Sequence, residues 1–441
     1  MLRPSLILLL IPVLVAAAQA PAPADLYDQE MQRLAGLSEV QSALARIVER
    51  EADNIEQLVE LTELAAPPFE EQARGLRFAE LLREAGLEQV ATDAVGNVIG
   101  YRAGDGRPDT LAVVAHLDTV FPEDTDIRVR GPEEDGTGTR RWYAPGIGDN
   151  ARGLVLLLTL AESMVHAGLA TEQNLLFVGS VGEEGVGDLR GVKHLHRDGG
   201  PRIDQLIAID GGNDERVLNQ AIGSHRYRIR IAGPGGHSWG AFGLANPAHA
   251  LASGIHLFDE AARNFVAAGP RTTYNIGRVG GGTSVNAVPF ESWAEVDLRS
   301  EDQQSLAAID GLLHESFDAA VATHNERRDR GDALTLTYES IGMRPSGTVA
   351  PGTPIIQRAL ASARYFDLEP SLGSGSTDAN VAIARGIPAT TISRGGISGG
   401  SHSLGEWWSD QDVVVGAQKA LLLILASAGV VTGDRVETGA L

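Results

Sequence analysis

Apolar positions recur at helical spacing through residues 24–63, at Leu44, Ile47, Ile55, Leu58 and Leu61, until Pro67-Pro68 ends the pattern. Beyond that stop the texture changes. Short, almost wholly apolar runs at 111–115, 174–181, 205–209 and 388–393 predict buried strands. Longer stretches at 153–167 and 413–428 carry the apolar faces of helices. Strands alternating with helices in this way predict an α/β fold, a sheet with helices on both faces.

The middle of the chain is patterned differently. Within residues 224–232 the apolar Tyr227, Ile229 and Ile231 alternate with Arg226, Arg228 and Arg230, as in a strand with one wet face. An alanine-rich helix at 247–262, strands at 271–278 and 291–298, a helix at 304–324 and a strand at 334–338 follow. Strand-helix-strand-strand-helix-strand is the order of a small, ferredoxin-like α+β sandwich. It interrupts the α/β pattern, so the expected organisation is a larger domain in two parts, 21–221 and 342–441, with an inserted domain at 222–341. The charged run 325–332 is expected to be a solvated loop.

Composition narrows the function. A chain of 441 residues suits two or three domains. Its 58 acidic and 36 basic residues leave a net charge of −22, which repels phosphate backbones and anionic lipid heads. Nucleic acid and membrane surfaces are therefore not expected as partners. The chain has no cysteine, which excludes thiol catalysis, cysteine-ligated zinc and disulfides. At the start, Arg3, an apolar stretch at 6–18 and the small-residue sequence Ala18-Gln19-Ala20 predict a secretory signal peptide at 1–20. Pro21 disfavours a cut directly before it, and cleavage after Ala24 is the alternative. The stretch is short of the roughly 20 residues that span a bilayer. The expectation is an exported protein, periplasmic or secreted, with no membrane attachment after cleavage.

In open α/β sheets, sites form beyond the carboxyl ends of the strands. Four predicted strands run into His116-Leu117-Asp118, Gly182-Glu183-Glu184-Gly185, Asp210-Gly211-Gly212 and a glycine-rich loop with His402. Asp149, in Gly148-Asp149-Asn150, precedes the helix that begins near Ala151. Taken singly, each has a plain explanation: His-x-Asp as a surface pair, Glu-Glu as solvated, Asp149 as a helix cap. Together they place two histidines and at least three carboxylates at one sheet edge. Two divalent ions need such a donor set, since imidazole and carboxylate suit zinc and one carboxylate can bridge two ions. Without cations, so many acids in one place would raise each other's pKa.

The sequences His116-Leu117-Asp118-Thr119, Gly148-Asp149-Asn150, Gly182-Glu183-Glu184-Gly185, Asp210-Gly211-Gly212, Gly235-Gly236-His237-Ser238 and Gly400-Ser401-His402-Ser403 resemble, in order, the motifs of the di-zinc exopeptidase family. That family includes carboxypeptidase G, peptidase T, succinyl-diaminopimelate desuccinylase, acetylornithine deacetylase and aminoacylase. The resemblance covers roughly residues 50–430. It implies a mixed sheet flanked by helices, with the insert as a lid and dimerisation domain. It also implies two zinc ions per subunit, for which cobalt or manganese can substitute: His116 and Asp210 on one, Glu184 and His402 on the other, Asp149 between them. Asp118 would orient the His116 imidazole, and Glu183 would act as general base on the attacking water. His237 would help stabilise the oxyanion, and Asn286 and Arg299 would grip a substrate carboxylate. The implied activity is amide hydrolysis of small peptides by an exopeptidase, or of N-acyl amino acids by a deacylase. The implied assembly is a homodimer. Gly405 before Glu406-Trp407, where an acid is usual, and Arg152, where lysine is common, depart from the pattern.

Other motifs fail on inspection. Gly396-Ile397-Ser398-Gly399-Gly400 fits a nucleophile elbow, but only His402 follows it, four residues on, and the triad order Ser, acid, His has no room. Gly280-Gly281-Gly282-Thr283-Ser284 lacks the lysine and helix of a phosphate loop. Histidines 166, 194, 196, 225, 249, 256, 314 and 324 lack acidic partners at comparable positions and are expected to be helix-surface or core residues. An inactive peptide-binding protein of the same fold is disfavoured, because a binder needs no Glu183.

Overall fold

A computed structural model describes residues 24–431, so the predicted signal peptide lies outside the described residues. A mixed sheet of nine strands runs Gln89–Thr92, Val98–Arg102, Asn174–Ser180, Thr110–His116, Gln205–Ile209, Ala389–Ile392, Arg216–Ala221 and Gly347–Thr348, with Ser371–Gly375 also on Arg216–Ala221. Its four central strands are parallel and in step, His116 opposite Ser180 and Ile392 opposite Ile209. The residues just beyond them therefore share one rim. The middle strands are buried at every position except the half-buried Asn174 and Gln205 that open two of them, which is why they read as continuous apolar runs rather than alternating ones. Helices Gly153–His166 and Val413–Ala428, buried on nearly every face, pack in the same core.

The N-terminal periodicity resolves into three helices, Ala24–Ala35, Ser38–Glu49 and Glu51–Thr62. They join the main core through Met31, Val40, Ile47, Leu58 and Leu61. Ion pairs Asp28–Arg364, Glu30–Arg358 and Arg46–Glu162 pin the first two to distant elements.

The insert is an antiparallel sheet, ordered Thr272–Gly281, Glu291–Ser300, Gly223–Ala232 and Thr335–Arg344, with helices Pro247–Val266 and Gln303–Glu326 against it. It has a separate core of residues such as Ile229, Ile231, Val296, Leu298, Phe258 and Phe317. A Cβ at Gly254 would lie 2.6 Å from the Phe317 ring, so the helix spends a glycine on close approach. The alternating arginines pair with acids directly across the neighbouring strand, Arg226 with Asp297 and Arg228 with Glu295. A further small sheet, of Arg130–Glu134, Arg140–Tyr143, Ile397–Gly399 and Trp407–Ser409, joins the loops carrying Asp149 and His402. Its three- to five-residue strands are too short to show a period.

Candidate metal centre

His116 ends its strand fully buried, and its Nδ1 is held 3.0 Å from the main-chain oxygen of Asp118. The Asp118 carboxylate has another task. It accepts the backbone N–H groups of Glu183 and Glu184 at 2.9 and 2.8 Å and stands 3.7 Å from the imidazole. A carbonyl thus orients the ring, while the carboxylate fixes the glutamate turn on the adjacent strand. Buried Arg74 steadies the same loop by donating to the main-chain oxygens of Leu117, Leu64 and Thr62.

Asp149 lies in the turn Ile147–Arg152, entered through Gly146 at φ 80°, which favours glycine. Glu406 accepts the N–H groups of Gly146, Gly148 and Asp149 at 2.9, 3.0 and 2.8 Å. Burial pushes the Glu406 carboxyl up to about 7 in spite of those bonds. Arg152, one of the departures, is buried over the Trp408 ring and away from the cleft lining.

The donor atoms of His116, Asp149 and Asp210 lie within 4.8 Å of one another, and so do those of Asp149, Glu184 and His402. Donors about 2.0–2.2 Å from one ion sit at comparable mutual distances. The residues therefore fit two ions sharing Asp149, with one oxygen 3.2 Å from His116 Nε2 and the other 3.4 Å from His402 Nε2. His402, at φ 65°, also meets Glu184 Oε1 at 2.7 Å. Hydrogen bonds donated by its ring to Asp149 and Glu184 raise its pKa to about 10, so the cluster attracts positive charge strongly.

Two arginines that sequence reasoning missed stand in this cluster. Arg394 is buried, and its Nη2 donates to Asp149 and Asp210 at 3.0 and 2.8 Å, while among the described residues its Nε and Nη1 find no partner. Arg344, at the end of the last insert strand, pairs with Glu183 Oε1 at 3.0 Å and Ser376 at 3.1 Å. Burial pushes the Glu183 carboxyl well above its usual range, against that ion pair. Asp378, bonded to Ser180, is likewise pushed up to about 7 by burial. Only proximity in the fold marks these residues; nothing local in the sequence does.

A cleft of about 410 Å³ opens over the centre. It is lined by Asp149, Glu183, Glu184, Asp210 and His402 from the large domain and by Arg226, Arg299 and Arg344 from the insert. His237 and Asn286 do not line it. They meet on the exposed ribbon Gly236–His237/Ala287–Val288, where Ser238 N donates to the Asn286 main-chain oxygen at 2.8 Å. Among the remaining histidines, His225 and His314 share Asp310, at 3.3 and 3.5 Å, and His194 lies 3.9 Å from Asp93. The acid opposite His225 comes from a helix packed on its strand, at a sequence distance no local pattern reveals.

Residues 112–426 match the model of peptidase family M20/M25/M40. The chain belongs to this family. It is accordingly a metallohydrolase, and the donor cluster just described is its candidate metal site. Among its relatives, the uncharacterized protein YqjE of Bacillus subtilis (strain 168) is 25% identical over 332 residues, 72% of this chain and 82% of that protein. Two solved structures share the fold. A tripeptidase from Staphylococcus aureus subsp. aureus Mu50 has a TM-score of 0.68 at 22% identity, covering 86% of this chain and 99% of that one. The aminopeptidase PepT from Bacillus cereus ATCC 10987 has a TM-score of 0.67 at 20% identity, covering 85% and 98%.

Proposed function

We propose that this M20/M25/M40 member is an exported two-zinc exopeptidase that hydrolyses the amide bond of short peptides. One observation carries the reading: Glu183, paired with Arg344 and also within 4.8 Å of donor atoms of His116 and Glu184, faces the cleft beside two donor sets that share Asp149. Two divalent ions, when bound, supply Lewis acidity to the scissile carbonyl and to the attacking water. Glu183 takes the proton of that water and passes it to the leaving amine. Arg344 keeps the Glu183 carboxylate in place by donating to it. Arg299, on the lid side of the cleft, grips the substrate carboxylate through its terminal nitrogens while its Nε donates to Asp297 at 2.8 Å. The test is a hydrolysis screen of chelator-stripped and zinc-reloaded protein on di- and tripeptides, N-acetyl and N-succinyl amino acids. Peptide cleavage that needs zinc supports the proposal. Preference for the N-acyl compounds makes the chain a deacylase, and binding without turnover makes it a peptide-binding protein.

The same proposal extends to assembly and location. His237 and Asn286 lie outside their own chain's cleft, amid exposed Trp239, Phe242, Val285 and Phe290. A second copy of the chain, docked through the insert, is the partner that brings them to a neighbouring cleft. Mixing inactive His237→Ala with inactive Glu183→Gln subunits then regenerates activity; a verified mixed dimer without activity refutes the shared site. Export by the predicted signal is checked by N-terminal sequencing of the mature protein recovered outside the cytoplasm.

A further inference from the structure

The cleft holds more arginine than one substrate carboxylate requires. In a chain of net charge −22, four arginines, Arg216, Arg226, Arg299 and Arg344, line the same cleft as four carboxylates, Asp149, Glu183, Glu184 and Asp210. Two divalent ions would balance those four carboxylates, leaving the arginines as the charge a substrate meets. Their engagements differ. Arg344 is taken up by Glu183 and Ser376. Arg226 is spent on Asp297 at 2.9 Å and the main-chain oxygen of Gly185 at 3.3 Å. Arg299 shares Asp297 through Nε only.

Arg216 stands apart. It opens the strand Arg216–Ala221, six positions after Asp210, and shares the strand face of Leu218, which also lines the cleft. Its Nη2 donates to the main-chain oxygen of Ser374, and among the described residues no carboxylate forms an ion pair with it. Two open guanidiniums thus enter one cleft from different domains, Arg299 from the lid sheet and Arg216 from the large sheet. A guanidinium fork selects carboxylate through paired, charge-assisted bonds.

We infer that the substrate carries a second carboxylate, which Arg216 reads while Arg299 holds the first. This rests on the amide-hydrolase reading above. The second carboxylate belongs either to an aspartyl or glutamyl side chain on the released residue or to an acidic acyl group on the other side of the bond. A neutral substrate leaves Arg216 solvated, so the discrimination is a gain for acidic substrates rather than a block on neutral ones.

The test compares Ala-Glu with Ala-Gln, and N-succinyl-alanine with N-acetyl-alanine, on zinc-loaded protein. The expected kcat/KM ratio favours the doubly charged member of one pair on the order of tenfold, mainly through KM. The pair that shows it identifies the side of the bond. Arg216→Gln should bring the two members within about twofold of each other. Arg263→Gln, the same charge change on an exposed lid helix away from the cleft, should leave the ratio intact. Equal rates within both pairs overturn the inference, as does a preference that survives Arg216→Gln. Those outcomes leave the hydrolase reading standing; failure to cut any amide, neutral or acidic, overturns both.

Discussion

Asp118→Asn separates two roles that the sequence pattern cannot distinguish. If the carboxylate oriented the His116 ring, the substitution would disturb the His116–Asp149–Asp210 group. The geometry says otherwise, because the ring is held by the Asp118 main-chain oxygen, which asparagine keeps. What changes is the pair of bonds from Glu183 N and Glu184 N at 2.9 and 2.8 Å. Bonds to a charged group contribute about 1.5–3 kcal/mol each, and asparagine offers one acceptor oxygen and turns an NH₂ toward the other amide. Burial raises the Asp118 carboxyl pKa despite His116 and both amides, so removing a buried charge recovers part of the loss. The net cost is therefore near the lower end, about 2 kcal/mol, or on the order of 30-fold in affinity at the Asp149–Glu184–His402 group. Zinc-edge anomalous diffraction from crystals equilibrated at limiting zinc reads each group separately. Occupancy should fall at Glu184–His402 and hold at His116–Asp210. Loss at His116–Asp210 first would refute the assignment.

Other perturbations follow from the same contacts. Arg394→Gln removes a cation already bonded to Asp149 and Asp210, so zinc affinity at the His116 group should rise, on the order of tenfold by calorimetric titration; a fall would mean that the guanidinium supports the ligands. Glu406→Ala frees three amides around Asp149 and should cost on the order of 10–100-fold in zinc affinity, with an unchanged value refuting its role. Asp378 has a folded pKa of about 7 against an ordinary 3.8, so the native state holds its proton longer than the unfolded chain does. Its contribution is fully present below pH 3.8 and is lost as pH rises through about 7. Metal-free protein should thus lose stability to denaturant between pH 4 and 7 with a steeper slope than Asp378→Asn; equal slopes would contradict the shift.

The parts legible in the sequence were those written in short-range pattern. Continuous apolar runs marked the central strands, and His116, Glu183, Glu184 and Asp210 stood directly after them, where the parallel sheet turns strand ends into one rim. The alternation at Arg226, Arg228 and Arg230 marked a half-wet strand whose acids lie across the sheet. The residues that escaped act at long range. Arg344 reaches Glu183 from 161 positions away and Arg394 reaches Asp149 from 245, and an arginine in isolation looks like any solvated charge. Glu406 was visible only as part of a motif, because its three amide partners lie about 260 positions earlier. The further part played by Asp118, at the amides of Glu183 and Glu184, was not legible for a related reason, since main-chain and side-chain oxygens of one residue cannot be told apart in a sequence.

The central claim is that Glu183 handles the proton while its neighbour Glu184 holds metal. Metal content and turnover, measured together on Glu183→Gln and Glu184→Gln, test it most directly. The account predicts that Glu183→Gln retains two zinc ions per chain while kcat falls on the order of 10²–10⁴-fold, whereas Glu184→Gln loses zinc along with activity. Near-normal turnover in Glu183→Gln, or equal loss of zinc from both variants, would contradict it.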